Sequence, residues 1–159
     1  MLESKIKTLK EIQTLFPRLK AKGKSIVFTN GCFDILHYGH VKYLQEAKQK
    51  GDILIVAVNA DSSVRRIKGR NRPIVSEKNR VRMIAALEGV DYVILFQEVT
   101  PLKVIKAVKP DILVKGADWK KAEIAGADFV RSYGGRVLTV PLVKNQSTTN
   151  LIRKIAKTF

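Results

Sequence analysis

Thr29-Asn30-Gly31-Cys32-Phe33-Asp34-Ile35-Leu36-His37-Tyr38-Gly39-His40 follows directly on the apolar run Ile26-Val27-Phe28. Ile26 to Thr29 reads as a short buried strand, and Gly31 permits a sharp turn off it. A helix is expected from about Gly39 to Lys50, with Gly51 as its stop. Gly39 allows a ligand or backbone to come close where a side chain would obstruct. A strand that turns through glycine into a helix start aims free backbone N–H groups and the positive end of the helix dipole at the loop. His37 and His40, the only two histidines, stand at that start. Paired imidazoles there suit a triphosphate and can donate hydrogen bonds to charge building on phosphoryl oxygens.

Outward from this stretch, strand and helix alternate. Ile53 to Val58 is almost wholly apolar, the pattern of a strand covered on both faces in a parallel sheet. Ser76 to Leu87 is expected to be helical, with Val81, Ile84, Ala85 and Leu87 facing the core, and Tyr92 to Phe96 is a third strand. Thr100 and Pro101 suit the N-cap and first position of a helix that stops before Pro110. Ile112-Leu113-Val114 is a fourth strand, and a helix is expected over roughly Ala122 to Tyr133, ended by Gly134-Gly135. Val137 to Val140 is a fifth strand, and Thr148 or Thr149 caps a last helix to Ala156. Before the first strand, residues 1–24 read as a basic amphipathic helix packing on the domain. Leu9, Ile12, Phe16 and Leu19 recur at helical spacing there, and Thr8 with Glu11 has the form of a capping box. Pro17 is expected to break or kink this helix. The fold class that results is α/β: a single Rossmann-like doubly wound domain over 25–159, with a five-stranded, mainly parallel sheet. Ligands are expected at the carboxyl ends of the strands, near a switch in strand order.

The composition narrows the function classes. A chain of 159 residues with 45% hydrophobic residues is one globular domain. Its apolar runs are far shorter than the ~20 residues of a membrane span. Met1-Leu2-Glu3-Ser4-Lys5 has no apolar block behind its charges, so no secretory signal is expected and the expected location is cytoplasmic. Cys32, the lone cysteine, excludes an internal disulfide and a thiolate metal cluster, and it reads as a small buried apolar residue. Thirty Lys and Arg against 14 Asp and Glu give a formal charge of +16, a field that draws in polyanions. The basic residues are scattered from Lys5 to Lys157, and only 7% of residues are aromatic. Nucleic-acid binding, the non-enzyme alternative, would want aromatics interleaved on a basic surface.

Four blocks together carry a resemblance. They are Thr29 through His40; Val56-Ala57-Val58-Asn59-Ala60-Asp61; Leu113-Val114-Lys115-Gly116-Ala117-Asp118-Trp119; and Ser147-Thr148-Thr149-Asn150. In this order they resemble the H-x-G-H nucleotidyltransferases, in their cytidylyltransferase-like branch. Within it they are most similar to the adenylyltransferase domains of ADP-heptose synthases, here without the kinase domain.

The resemblance implies a role for each matched residue. His37 and His40 would bind the triphosphate and stabilise the transition state at its α-phosphorus. Asp34 would lie near the reacting phosphates or the acceptor, and Arg80 would contact phosphate; these four are the catalytic candidates. Gly31, Cys32, Phe33, Gly116 and Asp118 would join the histidines around the nucleotide. Ser147, Thr148 and Thr149 would place a second helix N-terminus on the β- and γ-phosphates. Lys68 and Arg70 would belong to a flexible basic loop that closes over the nucleotide. Asn59, Asp61 and Lys115, with Asp34, would face the acceptor, and Trp119 would be packing or pocket wall. No cluster of carboxylates stands out as a cage, so Mg²⁺ would be carried by the triphosphate. The implied partners are ATP and a sugar 1-phosphate, with a homodimer as an arrangement common among relatives.

One departure bears on the nucleotide. Glycerol-phosphate cytidylyltransferases carry Arg-Thr-Glu-Gly-Ile before Ser-Thr-Thr, whereas this chain has Leu142-Val143-Lys144-Asn145-Gln146. The missing arginine points away from CTP with glycerol 3-phosphate and towards ATP with D-glycero-β-D-manno-heptose 1-phosphate.

Overall fold

A computed structural model describes residues 1–159. A short 3-10 turn over Leu2–Lys5 leads to α1 (Leu9–Ala21), which opens on a capping box. Thr8 Oγ1 accepts the Glu11 N–H at 3.3 Å while the Glu11 carboxylate accepts the Thr8 N–H at 2.7 Å. Pro17 does not end the helix. Ile12 and Phe16 before it are buried and Leu19 beyond it packs on the same cluster, so core contacts hold both halves in line despite the lost backbone bond.

The chain then runs β1 (Ile26–Gly31), α2 (Tyr38–Lys48), β2 (Ile53–Asn59), α3 (Asp61–Lys68), α4 (Glu77–Ala85), β3 (Tyr92–Phe96), α5 (Leu102–Val108), β4 (Ile112–Gly116), α6 (Ala127–Ser132), β5 (Arg136–Val140) and α7 (Thr148–Thr158). All five strands are parallel, in the order β3-β2-β1-β4-β5. The sheet is buried on both faces, and the period-2 alternation of its strands sorts side chains between two layers. From β2, Ile55 and Ala57 join the cluster with Ile12, Phe16, Ile105 and Val130 on the α1, α5 and α6 side. Leu54, Val56 and Val58 join Leu44, Ala47, Val81 and Ile84 on the α2 and α4 side. The order reverses at β1, which has β2 on one side and β4 on the other. A crevice therefore opens at the carboxyl ends of β1 and β4.

Several elements differ from the sequence expectation. The expected helix over Ala122 to Tyr133 is interrupted: a 3-10 turn over Lys121–Glu123 precedes α6. Between them Gly126 is left-handed at φ +83°, and a Cβ there would meet Ile105 Cδ1 at 2.7 Å. Pro101 is the N-cap of α5 in place of Thr100, and Ser147 caps α7 in place of either threonine. The stretch holding Lys68 is not a loop, because α3 runs through Lys68. Only Ser63 and Val64 of that helix are buried, so its apolar periodicity is too thin to read from sequence. No helix is long and apolar enough to cross a membrane.

Candidate active site

The site is built where β1 ends. Beyond Gly31 the chain reverses through Phe33, which takes a left-handed φ of +47° and buries its ring. A Cβ on Gly31 would lie 3.0 Å from that ring. His37 is the N-cap of α2 without using its side chain as a cap. Its ring stacks on that of His40, with centroids 3.9 Å apart and planes at 25°, and Phe33 meets His40 edge-on at 5.3 Å. The glycine between them has a steric reason, since a Cβ on Gly39 would sit 2.9 Å from His37 Cε1 and Nδ1. Larger residues would push the rings apart.

Both imidazole Nδ1 atoms are buried without a hydrogen-bond partner, as is Asn30 Oδ1 at the end of β1. Burial lowers the pKa of His37, and burial with the His37 charge brings that of His40 down to about 4. The pair is thus neutral at pH 7, with an Nδ1 atom on each ring left to bond a partner in the cavity. A second helix start faces the same space. Ser147 Oγ accepts the Asn150 N–H at 3.0 Å, and Thr148 Oγ1 donates to the Ile35 carbonyl at 3.4 Å, tying α7 to the loop after β1. The backbone N–H groups of Tyr38, Gly39, Thr148 and Thr149 have no acceptor within the protein. Two helix N-termini with four free donors can receive a polyanion.

The other end of the crevice is lined from β4. Lys115 Nζ donates to the Asn30 carbonyl at 3.2 Å and lies 5.2 Å from the Trp119 ring centroid. Burial brings its pKa down to about 8, against the opposing pull of Asp118. Gly116 makes room here: a Cβ would meet Asp118 Oδ1 at 2.6 Å and Leu142 at 2.9 Å. Below, the Tyr43 hydroxyl donates to the Val114 carbonyl at 3.2 Å and shares a 2.6 Å hydrogen bond with Thr29.

These parts enclose one cavity of about 670 Å³, large enough for a nucleotide. Of the residues expected at the nucleotide, Gly31, Cys32, Phe33, His37, His40, Lys68, Gly116, Asp118, Ser147, Thr148 and Thr149 line it. Asn59, Lys115, Asp34 and Trp119 line it too. Arg70 does not, and it is exposed. No three His, Cys, Asp or Glu side chains come together as a metal cage.

Two expected site residues are elsewhere. Arg80 has no exposed surface and donates to Val75 O at 2.9 Å, Cys32 O at 2.6 Å and Asp61 Oδ1 at 2.8 Å. Its guanidinium pins the strap 61–80 to the loop after β1 and does not line the cavity. Asp61, expected at the acceptor, is also outside the lining. It and Glu77 each accept the other's backbone N–H, at 2.8 and 2.7 Å, so the starts of α3 and α4 cap one another. Arg72, by contrast, borders the cavity. Within Gly69-Arg70-Asn71-Arg72-Pro73 nothing in the sequence distinguishes it from Arg70.

The bifunctional protein HldE of Geobacter metallireducens is 51% identical over 157 residues, which are 99% of this chain and 32% of that protein. The bifunctional protein HldE of Nitratiruptor sp. is 51% identical over 96% of this chain and likewise 32% of its own length. The chain thus spans about a third of the curated relatives it matches. Among solved structures, the lipopolysaccharide core biosynthesis protein of Thermoplasma volcanium is 38% identical, with a TM-score of 0.64, over 78% of this chain and all of that one. Pantothenate synthetase of Thermus thermophilus shares the fold, at 16% identity and a TM-score of 0.68 over 96% of this chain and 70% of its own. The family model described as cytidylyltransferase-like matches residues 28–155, which include the paired histidines and the second helix start. The chain belongs to the cytidylyltransferase-like family.

Proposed function

We propose that this chain is an adenylyltransferase that joins the AMP of ATP to D-glycero-β-D-manno-heptose 1-phosphate, giving ADP-heptose and pyrophosphate for lipopolysaccharide inner-core synthesis in the cytoplasm. The observation that carries the reaction class is the stacked His37–His40 pair, with both Nδ1 atoms unpartnered, beside two helix N-termini on one cavity. The choice of ATP and heptose is supported by the 51% identity to HldE proteins, by the likeness to a lipopolysaccharide core biosynthesis protein, and by the absence of arginine from 142–146.

A phosphate oxygen of the sugar attacks the α-phosphorus in line; the new P–O bond forms as the bond to the pyrophosphate oxygen breaks. The attacking oxygen is already ionised, so no general base is needed. Catalysis is positioning and charge neutralisation by the imidazoles, the free backbone N–H groups and cationic side chains. Mg²⁺ would be carried mainly by the triphosphate, where it would neutralise charge on the phosphate oxygens.

The test is a pyrophosphate-release screen crossing ATP and CTP with the heptose 1-phosphate, glycerol 3-phosphate and choline phosphate. Release is expected with ATP and the heptose alone. Release with CTP and glycerol 3-phosphate would replace this assignment by a cytidylyltransferase. Release with no pair, together with nucleic-acid binding that weakens steeply with salt, would overturn it altogether.

A further inference from the structure

The Asp34 carboxylate is turned entirely into protein. Oδ1 accepts the backbone N–H groups of Ile74 and Val75, each at 2.8 Å, and Oδ2 accepts Ile74 N–H at 3.0 Å and Arg72 Nε at 2.5 Å. Its side chain has no exposed surface. Burial alone would raise its pKa, but the two N–H groups and the guanidinium outweigh burial and lower it, so the group is a fixed anion. An anion with every oxygen engaged by protein has none left for a substrate proton or a cation.

Its partner is in the opposite condition. A guanidinium carries five N–H donors, and Arg72 spends only Nε within the protein. The donors on Nη1 and Nη2 have no protein acceptor, while the side chain borders the cavity and is 15% exposed. Arg80, in the same strap, has all three nitrogens bonded and no exposure. The two arginines therefore do different things. Asp34 also fixes where Arg72 acts. It immediately precedes Ile35, whose carbonyl takes the Thr148 hydroxyl at the start of α7, and it lies three residues before His37. The free edge of Arg72 thus borders the cavity beside the loop that carries His37 and His40.

We infer that Arg72 binds the nucleotide's phosphate chain and that Asp34 is the positioning residue that grips Nε and presents the Nη edge to it. This inference rests on the nucleotide reading of the cavity, but not on the identity of the acceptor. A fork held in this way reads phosphate oxygens bidentately, which a lysine cannot do.

The experiment is calorimetric titration of the full chain with tripolyphosphate and with the nucleosides adenosine and cytidine, for wild type, R72Q, R72K, D34N and R72Q/D34N. R72Q is expected to weaken tripolyphosphate at least ~10-fold, the scale of a charge-assisted hydrogen bond. It is expected to leave the affinity of whichever nucleoside binds unchanged. R72K is expected to fall close to R72Q, and D34N to weaken tripolyphosphate in wild type but to add nothing in the R72Q background. Tripolyphosphate binding within twofold of wild type in R72Q would overturn the role of Arg72. Full affinity in R72K would overturn the gripped fork even if D34N fails to fold. An equal further loss from D34N in the R72Q background would overturn positioning, because Asp34 would then act without Arg72. Wild type that binds no tripolyphosphate would sink both this inference and the nucleotide cavity. Wild type that binds it through Arg72 but releases pyrophosphate with no acceptor would uphold Arg72 and overturn only the proposed reaction.

Discussion

Two neighbouring regions of the cavity wall treat their buried polar groups in opposite ways. In the loop from Asn30 to His40, Asn30 Oδ1 and both histidine Nδ1 atoms are buried with no partner. In the strap from Asp61 to Arg80, Arg80 is fully enclosed and bonded through every nitrogen, and Asp61 and Glu77 satisfy each other's backbone. An unpaired buried polar atom costs on the order of 1–3 kcal/mol, so a folded chain keeps three together only where something else completes them. The loop leaves these polar atoms open to the cavity, whereas Arg80, Asp61 and Glu77 satisfy one another and their neighbours and serve as scaffold.

Substitutions should separate the two regions by which measurement they move. The largest effect belongs to the scaffold. Arg80→Met strands Asp61 and the Val75 and Cys32 carbonyls, and it is expected to cost ~3 kcal/mol or more in denaturant unfolding. A loss under ~1 kcal/mol with a large rise in KM for nucleotide would return Arg80 to phosphate binding. Next comes the loop. His37→Ala and His40→Ala should each lower the rate of pyrophosphate release at least ~10²-fold while costing less stability than Arg80→Met, because the lost ring packing is partly offset by removal of a buried atom that had no partner. Near-normal rates in both would break the comparison.

Gly39→Ala should act on the same pair through sterics alone. Its Cβ would press on the His37 ring, and a fall in rate of about 10-fold, or ~1.4 kcal/mol, is expected with little change in folding. The smallest effect is that of pH. The folded-state pKa of His40 is about 4 and that of His37 is also depressed, both below the unfolded value near 6.5. The unfolded chain therefore binds more protons in this window, and the empty protein should lose stability as pH falls from about 6.5 towards 4. Bound triphosphate should reduce that loss by favouring the charged imidazoles, which thermal unfolding with and without tripolyphosphate across this range would reveal.

The parts of this comparison were unequally visible in the sequence. The strand–turn–helix at Ile26 to Lys48 could be read directly, because an apolar run, a glycine turn and two histidines lie within a few residues of one another. The same holds for the helix start at Ser147-Thr148-Thr149, although not for which residue caps it. The strap was opaque. Arg80 has the sequence context of a helix surface, and its bonds to Asp61 and to the Cys32 carbonyl, 48 residues away, make it structural. Arg70 and Arg72 look alike in a basic segment, and a carboxylate 38 residues upstream separates them. The short α3 has no apolar stripe to mark it, because long-range bonds hold it instead, among them Ser63 Oγ to the Glu98 carbonyl at 2.7 Å. Local periodicity reports burial along one element; it carries no information about polar bonds between elements.

The hydrogen bond from Thr148 to the Ile35 carbonyl joins residues 113 positions apart in the chain. During synthesis the histidine half of the polyanion site leaves the ribosome long before the half that closes it. Until Ser147 to Thr149 have emerged, the second helix start and its tie to the Ile35 carbonyl are missing. If the proposed function holds, nucleotide favours the last docking step, because it binds only the chain in which both helix starts are in place.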